Sequence, residues 1–313
     1  MEYSSLGKTG LRISRLALGT AAFGLERYGI CNADASGAVS EETAIRLIHA
    51  AVEQGINFFD TARGYGRSEA VLGKGLAGLP SCVVATKVSV PENISTLSSE
   101  ELRSAVMGSL ETSLHELRRD VLDIVQIHNA TAPLLQSGEM IAVLETARQQ
   151  GKLRFIGASV YGADNAMAAV HCGSIDVLQI ALSPLDQRMM STVLPEARTR
   201  NIGVLARSVF LKGVLSGRVK ALPASLQVLA DASNHARQTL GDTWESLPGT
   251  AVRFCLSISG VHSVLMGLRS AAELPAALTA ETAGPLPEAV MRKVETIKLA
   301  DEKMLDPSLW PML

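Results

Sequence analysis

The sequence predicts an α/β fold, a (β/α)8 TIM barrel preceded by an N-terminal β-hairpin. Short apolar runs of four to eight residues recur eight times along the chain, the texture of buried parallel strands. Amphipathic stretches of helical period separate them, so each pair of strands is joined by a crossover. The length, 313 residues, suits one closed barrel better than a minimal domain, and eight repeats favour closure over an open sheet. No linker rich in Pro, Gly or Ser interrupts the pattern, so residues 1–313 read as a single domain.

The opening LGKTGLRIS reads as a hairpin turning at Lys8-Thr9-Gly10. The strands then fall at 15–20, 57–61, 82–87, 121–128, 154–159, 176–181, 203–208 and 263–267. The clearest helices span 40–54, 99–118 and 138–150, with Ser40 and Ser99 as N-caps and Gly55 and Gly151 as stops. Weaker helical patterns cover 67–77, 163–171, 187–200, 243–257 and 270–280. The stretch 209–242 is too long for an ordinary βα connection and is expected to be a loop over a ligand.

Composition narrows the function classes. Hydrophobic residues make up 47% and charged residues 19%, enough for a large core and too apolar for disorder. A net charge of −2 offers no electrostatic reason to bind nucleic acid or an anionic membrane. There is no secretory leader pattern and no run of about 20 apolar residues. Cys31, Cys82, Cys172 and Cys255 lack metal-ligand spacing, and no HExxH is present, so no metal site is expected. Free thiols suit a reducing, cytoplasmic setting.

In a parallel barrel the functional pocket lies at the C-terminal ends of the strands. Asp60, Lys87 and His128 end the second, third and fourth runs, and Tyr65 follows in a loop that Gly64 and Gly66 would make flexible. Singly each has an ordinary explanation: a helix cap, a surface lysine, a structural histidine, a packed tyrosine. Together they describe a general acid–base pair able to protonate an alkoxide. The lysine cation would lower the tyrosine pKa from about 10. The aspartate would hold the lysine, and the histidine would orient a carbonyl.

The run GINFFDTARGYGRSEAVLG (55–73), with VVATK ending at Lys87 and DIVQIHNA around His128, resembles the aldo-keto reductase family, and the similarity extends to about residue 280. The resemblance implies a barrel that binds a nicotinamide cofactor in an extended pose, without a Rossmann domain. It places Gly19, Thr20 and Asp60 near the nicotinamide, and Ser159 and Gln179 on its carboxamide, with Val160 where the family has Asn. LARSVFLKGVLSG (205–217) resembles the pyrophosphate segment and brings in Arg207, Ser208, Val209, Phe210 and Lys212. Arg207 stands where many members have a stacking tyrosine. SVLMGLRSAAELPAAL (263–278) resembles the adenosine site, with Gly267, Arg269 and Glu273, and with Glu273 and Ala277 where the adenine-contacting Gln and Asn are usual. A helix starting near Ser270, with Arg269, would favour NADP(H) over NAD(H) through the 2′-phosphate. Glu273 would oppose it.

FGLERYGICN (23–32), PLDQR (184–188) and ARSVFLKGVL (206–215) further resemble a bacterial subgroup whose genes often sit among those for sugar or nucleotide-sugar metabolism. The expected activity is reversible reduction of an aldehyde or ketone, sugar-derived substrates included, with Phe23, Tyr28 and Asn129 as substrate-wall residues. Two alternatives stay open here: a cofactor-bearing binding partner, as in potassium-channel β subunits, and a non-redox proton transfer on the same four residues. The expected partner is a small carbonyl or alcohol, not nucleic acid or membrane. Oligomeric state is not legible.

Overall fold

Eight parallel strands close into a barrel, and a separate antiparallel hairpin seals one end of it. A computed structural model of the chain describes residues 1–26, 28–30 and 37–311. Cys31 and part of the 23–32 segment lie outside the described residues. The hairpin is β1 (Tyr3–Ser5) paired with β2 (Arg12–Ser14). The barrel strands are β3 (Leu16–Gly19), β4 (Phe58–Asp60), β5 (Val83–Val88), β6 (Leu122–Ile127), β7 (Leu153–Ser159), β8 (Val177–Ala181), β9 (Gly203–Arg207) and β10 (Ser263–Met266). They pair in chain order, and β10 returns to β3. Each of the eight expected runs contains the observed strand or misses it by one residue.

Side chains alternate between two environments along every strand. Ala17, Phe58, Val83, Ala85, Ile124, Val177, Leu205 and Leu265 form an inner cluster with Leu6, Leu11 and Ile13 of the hairpin region. The opposite faces, including Leu18, Phe59, Val84, Val125, Ile156 and Leu178, pack into a larger outer cluster with the helices. The hairpin turn is pressed into the barrel floor. Lys8 N donates to Asn201 O (2.6 Å), and a Cβ on Gly203 would lie 2.5 Å from Leu6 Cδ1. With that end plugged by apolar side chains, a solvent-facing pocket has only the strand C-termini available.

The helices are α1 (Glu41–Glu53), α2 (Ser68–Gly75), α3 (Ser99–Leu117), α4 (Ala132–Ser137), α5 (Glu139–Gln149), α6 (Ala163–His171), α7 (Val193–Thr199), α8 (Gln227–Leu240), α9 (Leu247–Ser257), α10 (Leu274–Thr282) and α11 (Glu288–Thr296). None among the described residues is long and apolar enough to cross a membrane. Ser40 caps α1 by accepting from Thr43 N (3.2 Å), and Gly55 and Gly151 take positive φ after α1 and α5, as expected.

Four expectations change. The cap of α3 is Ser98, not Ser99; Ser98 Oγ accepts from Glu101 N while Glu101 accepts from Ser98 N, a full capping box one residue earlier. The pattern at 187–200 is helical only over α7, because 183–188 fold into a tight turn in which Arg188 grips Asp186 through two bonds of 2.9 Å. The stretch 209–242 is loop only in its first half; α8 fills the rest and ends at Gly241 in the left-handed region. The helices α4 and α11 lie outside the expected patterns, since α4 is too short to show a period and α11 follows the last strand.

Candidate active site

The inward positions that are apolar near the barrel floor become polar at its open end. Two residues beyond Phe58 stands Asp60, two beyond Ala85 stands Lys87, and two and four beyond Ile124 stand Gln126 and His128. Ser159, Gln179 and Arg207 hold the same parity on β7, β8 and β9. Register brings them level: Asp60 pairs with Gly19 and Ala85, Lys87 with Gln126, and Ser159 with Gln179.

Asp60 is the hub. Lys87 Nζ donates to Asp60 Oδ2 (2.6 Å) and to Thr61 O (2.8 Å). Gln179 Nε2 (2.7 Å) and Gln126 Nε2 (3.1 Å) both donate to Asp60 Oδ1. Ser159 Oγ donates to Gln179 Oε1 (3.4 Å). All five side chains are buried. Tyr65 is half-buried above them. Lys87 Nζ lies 5.1 Å from its ring centroid, and its ring meets that of His128 edge to face at 5.6 Å. The four residues expected to act together therefore share one neighbourhood. Gln126 is not among the expected residues; its signal is its parity with Ile124 and His128, the inward face of β6.

The electrostatics depart from expectation at Tyr65. Burial, then the Asp60 charge, pushes its phenol above the ordinary range rather than below it. The phenol therefore stays protonated near neutral pH. Burial also lowers the Lys87 pKa against the pull of Asp60. His128 is pushed down to about 3 by burial, then by the Lys87 and Arg207 charges, so its ring is neutral near neutral pH.

The loop carrying Tyr65 is clamped, not flexible. Thr61 N donates to Ala85 O (2.8 Å) and Arg63 N to Lys87 O (3.1 Å). Buried Glu69 takes Arg63 Nη1 (2.5 Å) on one oxygen and Thr86 Oγ1 (2.6 Å) on the other. Gly66 takes positive φ, and a Cβ there would meet Gly24 O at 2.7 Å, so glycine serves close backbone approach.

A cleft of about 720 Å³ runs from this cluster toward α10, a volume in the range of small-ligand sites. Gly19, Thr20, Tyr28, Asp60, Tyr65, Gln179 and Arg207 line its inner end, and Ser208, Val209, Phe210 and Lys212 its middle. Gly267, Arg269, Glu273 and Ala277 line its far end. Ser208, Leu211 and Lys212 all take positive φ, a concentration of backbone strain in one short segment. Arg207 stacks on Tyr161 at 3.9 Å and donates to Val160 O (2.8 Å) and Ser208 Oγ (3.2 Å).

Two expected placements change. Phe23 is fully buried in the outer cluster and does not line the cleft. Asn129 is exposed in a left-handed turn beside His128, outside the cleft lining, whereas Tyr28 does line it. Glu273 does not pair with the Arg269 guanidinium. It accepts from Arg218 Nη2 (2.7 Å) and Arg269 N (2.9 Å), while Arg269 Nη2 donates to Gly37 O (2.6 Å).

A model of the Aldo/keto reductase family matches residues 15–298. The L-galactose dehydrogenase of Arabidopsis thaliana is 29% identical over 296 residues, 90% of this chain and 88% of its own length. The NADH-specific methylglyoxal reductase of Escherichia coli (strain K12) is 31% identical over 239 residues, 70% of each chain. The holo structure of aldo-keto reductase AKR11C1 from Bacillus halodurans superposes with a TM-score of 0.77 at 25% identity, covering 96% of this chain and 97% of that one. The chain belongs to the aldo/keto reductase family and is an oxidoreductase enzyme of (β/α)8 fold.

Proposed function

We propose that the protein reversibly reduces an aldehyde or ketone to an alcohol, with Tyr65 as the proton donor. One observation carries the reading. The Tyr65 phenol faces the cleft and is held protonated by burial and by the Asp60 charge, with a lysine cation 5.1 Å from its ring. The bound nicotinamide would supply hydride to the carbonyl carbon. Tyr65 Oη then gives its proton to the carbonyl oxygen, and the phenolate left behind is stabilised by Lys87. Asp60 keeps Lys87 charged and in place. Neutral His128 offers a ring N–H to the carbonyl oxygen without competing as an acid. In the reverse direction the Tyr65 phenolate, stabilised by Lys87, takes up the alcohol proton and becomes the phenol again.

Residues from Gly19 to Glu273 along the cleft would hold the cofactor, with Gln179 at the nicotinamide end, Ser159 bonded to it from outside the cleft lining, and Lys212 beside the phosphates. Arg269 favours NADP(H), and Glu273 opposes it. A sugar-derived carbonyl fits the subgroup resemblance and the name of the L-galactose dehydrogenase relative. We take the whole chain to act as one domain, because every residue assigned a role belongs to the barrel or its loops. Cys82, Cys172 and Cys255 are free thiols, which suits the cytoplasm.

Tyr65→Phe tests the assignment. It should lower turnover by more than about a hundredfold while leaving cofactor affinity nearly unchanged in a fluorescence titration. Undiminished turnover of a carbonyl panel by that variant would sink it.

A further inference from the structure

The middle wall of the cleft is strained, and a stretch remote in sequence helps to hold it. Ser208, Leu211 and Lys212 all take positive φ, a backbone state that persists only where surrounding contacts enforce it. On one side Ile30 N donates to Lys212 O (2.8 Å). On the other, Lys212 Nζ donates to Pro307 O (3.4 Å), in the stretch that follows α11. That bond uses one of three ammonium donors, and among the described residues the Lys212 side chain makes no other hydrogen bond. Asp306 acts on the same ammonium through its charge, opposing the burial that lowers the Lys212 pKa.

The stretch 299–310 is moored to the barrel. Leu305 is fully buried in the outer cluster, and Leu299, Met304 and Trp310 pack against the same cluster. Leu299 N donates to Leu185 O (2.9 Å), and Arg188 reaches from buried Asp186 to Glu302 (3.4 Å). The run PLDQR (184–188) thus serves as the mooring. Asp306 Oδ1 accepts from Ser308 N (2.9 Å) and Ser308 Oγ (2.6 Å), and Leu309 N donates to Asp306 O (3.0 Å). These bonds close a turn that presents Pro307 O to Lys212.

We infer that Asp306 is a positioning residue, and that the docked stretch 299–310 braces Lys212 for the phosphates of a dinucleotide. The inference rests on the nicotinamide-dependent reading. The nicotinamide must lie where Tyr65 can protonate the carbonyl, so the rest of an extended dinucleotide passes along Lys212. Pro307 O takes one ammonium donor and Ile30 N holds the backbone, which leaves two donors for a phosphate with no bond broken. A free lysine would give up its rotamer freedom on binding, whereas a braced one has given it up already. Docking of the stretch and binding of the dinucleotide therefore strengthen each other by the same factor.

Titration of the purified protein with NADH and with NADPH, followed by nicotinamide fluorescence, tests this through whichever binds tighter. Asp306→Ala opens the turn and removes the charge, and should weaken binding by about three- to tenfold. Lys212→Met should weaken it by about tenfold or more. In the Lys212→Met background, Asp306→Ala should change affinity by less than about 1.5-fold, since nothing is left to position. A purely structural role would carry its full loss into both backgrounds. Amide exchange at Ser308 and Leu309 should slow on saturation with the dinucleotide in the wild type and not in Lys212→Met. The Asp306 charge also repels a phosphate, so unchanged or tighter binding by Asp306→Ala overturns the inference. An undiminished loss in the double variant, or exchange that ignores the dinucleotide, overturns it too, and all three leave the oxidoreductase reading standing. Failure of both dinucleotides to bind the wild type overturns that reading as well.

Discussion

Replacing Asp60 by Asn removes one charge from the centre of the site and puts an amide donor where Oδ2 accepted from Lys87. Asn keeps an oxygen for the amides of Gln126 and Gln179, and Lys87 keeps Thr61 O at 2.8 Å. What is lost is the counter-charge of an ammonium whose side chain is 1% exposed. Breaking a buried pair from one side costs about 3–5 kcal/mol. Lys87 can escape part of that cost by releasing its proton. The escape is bounded: deprotonating a lysine of unfolded pKa about 10.4 at pH 7 costs about 4.6 kcal/mol, and at pH 9 only about 1.9. The sign follows from burial, which depresses the Lys87 pKa in the folded state. Between the folded and unfolded values the unfolded chain binds the extra proton, so stability rises with pH and levels off above about 10.4. Urea unfolding should therefore show Asp60→Asn destabilised by about 3–5 kcal/mol at pH 7 and by about 2 kcal/mol or less at pH 9. Adding Lys87→Met should restore most of the loss, since the uncompensated charge is gone. A deficit below about 1 kcal/mol at pH 7, or one that persists unchanged at pH 9, would refute the buried-charge argument.

Two further outcomes are expected. Gly24→Ala places a Cβ 1.8 Å from Tyr65 O and 2.8 Å from Ser68 N, so the loop carrying the phenol must move. Stability should fall by about 1–3 kcal/mol. Turnover should fall by up to about a hundredfold with cofactor affinity largely kept, and equal losses in both would point to global damage. His128, with its pKa pushed down to about 3, should show no imidazole titration by NMR between pH 5 and 8. Because its folded pKa is depressed, the unfolded chain takes a proton first as pH falls below about 6.5. Stability should then decline toward pH 3 by at most about 1.4 kcal/mol per pH unit, and His128→Gln should flatten that slope.

The positions of the barrel strands were legible because burial on both faces leaves near-continuous apolar runs, and length separates those from helices. VLDIVQIH and RFIGAS marked β6 and β7 to within a residue. The gathering of Asp60, Tyr65, Lys87 and His128 was legible for a related reason: in a closed parallel sheet, a polar residue at a strand's C-terminal end has one pocket to face. Element ends were less legible. Ser98 and Ser99 both suit a cap, and only the reciprocal bond with Glu101 decides between them. The helix α8 stayed hidden because its polar composition resembles a loop when read one segment at a time.

By itself, then, the amino-acid order determined the barrel, its open end, and which residues gather there. Periodicity and strand parity are local properties, and a regular fold carries them into space unchanged. The tertiary structure decided the charge state and pairing of those residues. Tyr65 is held protonated by burial and by the charge of Asp60, which also pairs with Lys87, a fact about two strands and a loop at once. Glu273 answers Arg218, 55 positions away, instead of its neighbour's guanidinium. Phe23 turns into the core although its neighbours Ala21 and Ala22 line the cleft. Desolvation and Coulomb energy depend on distances between remote segments, and no spacing along the chain encodes them.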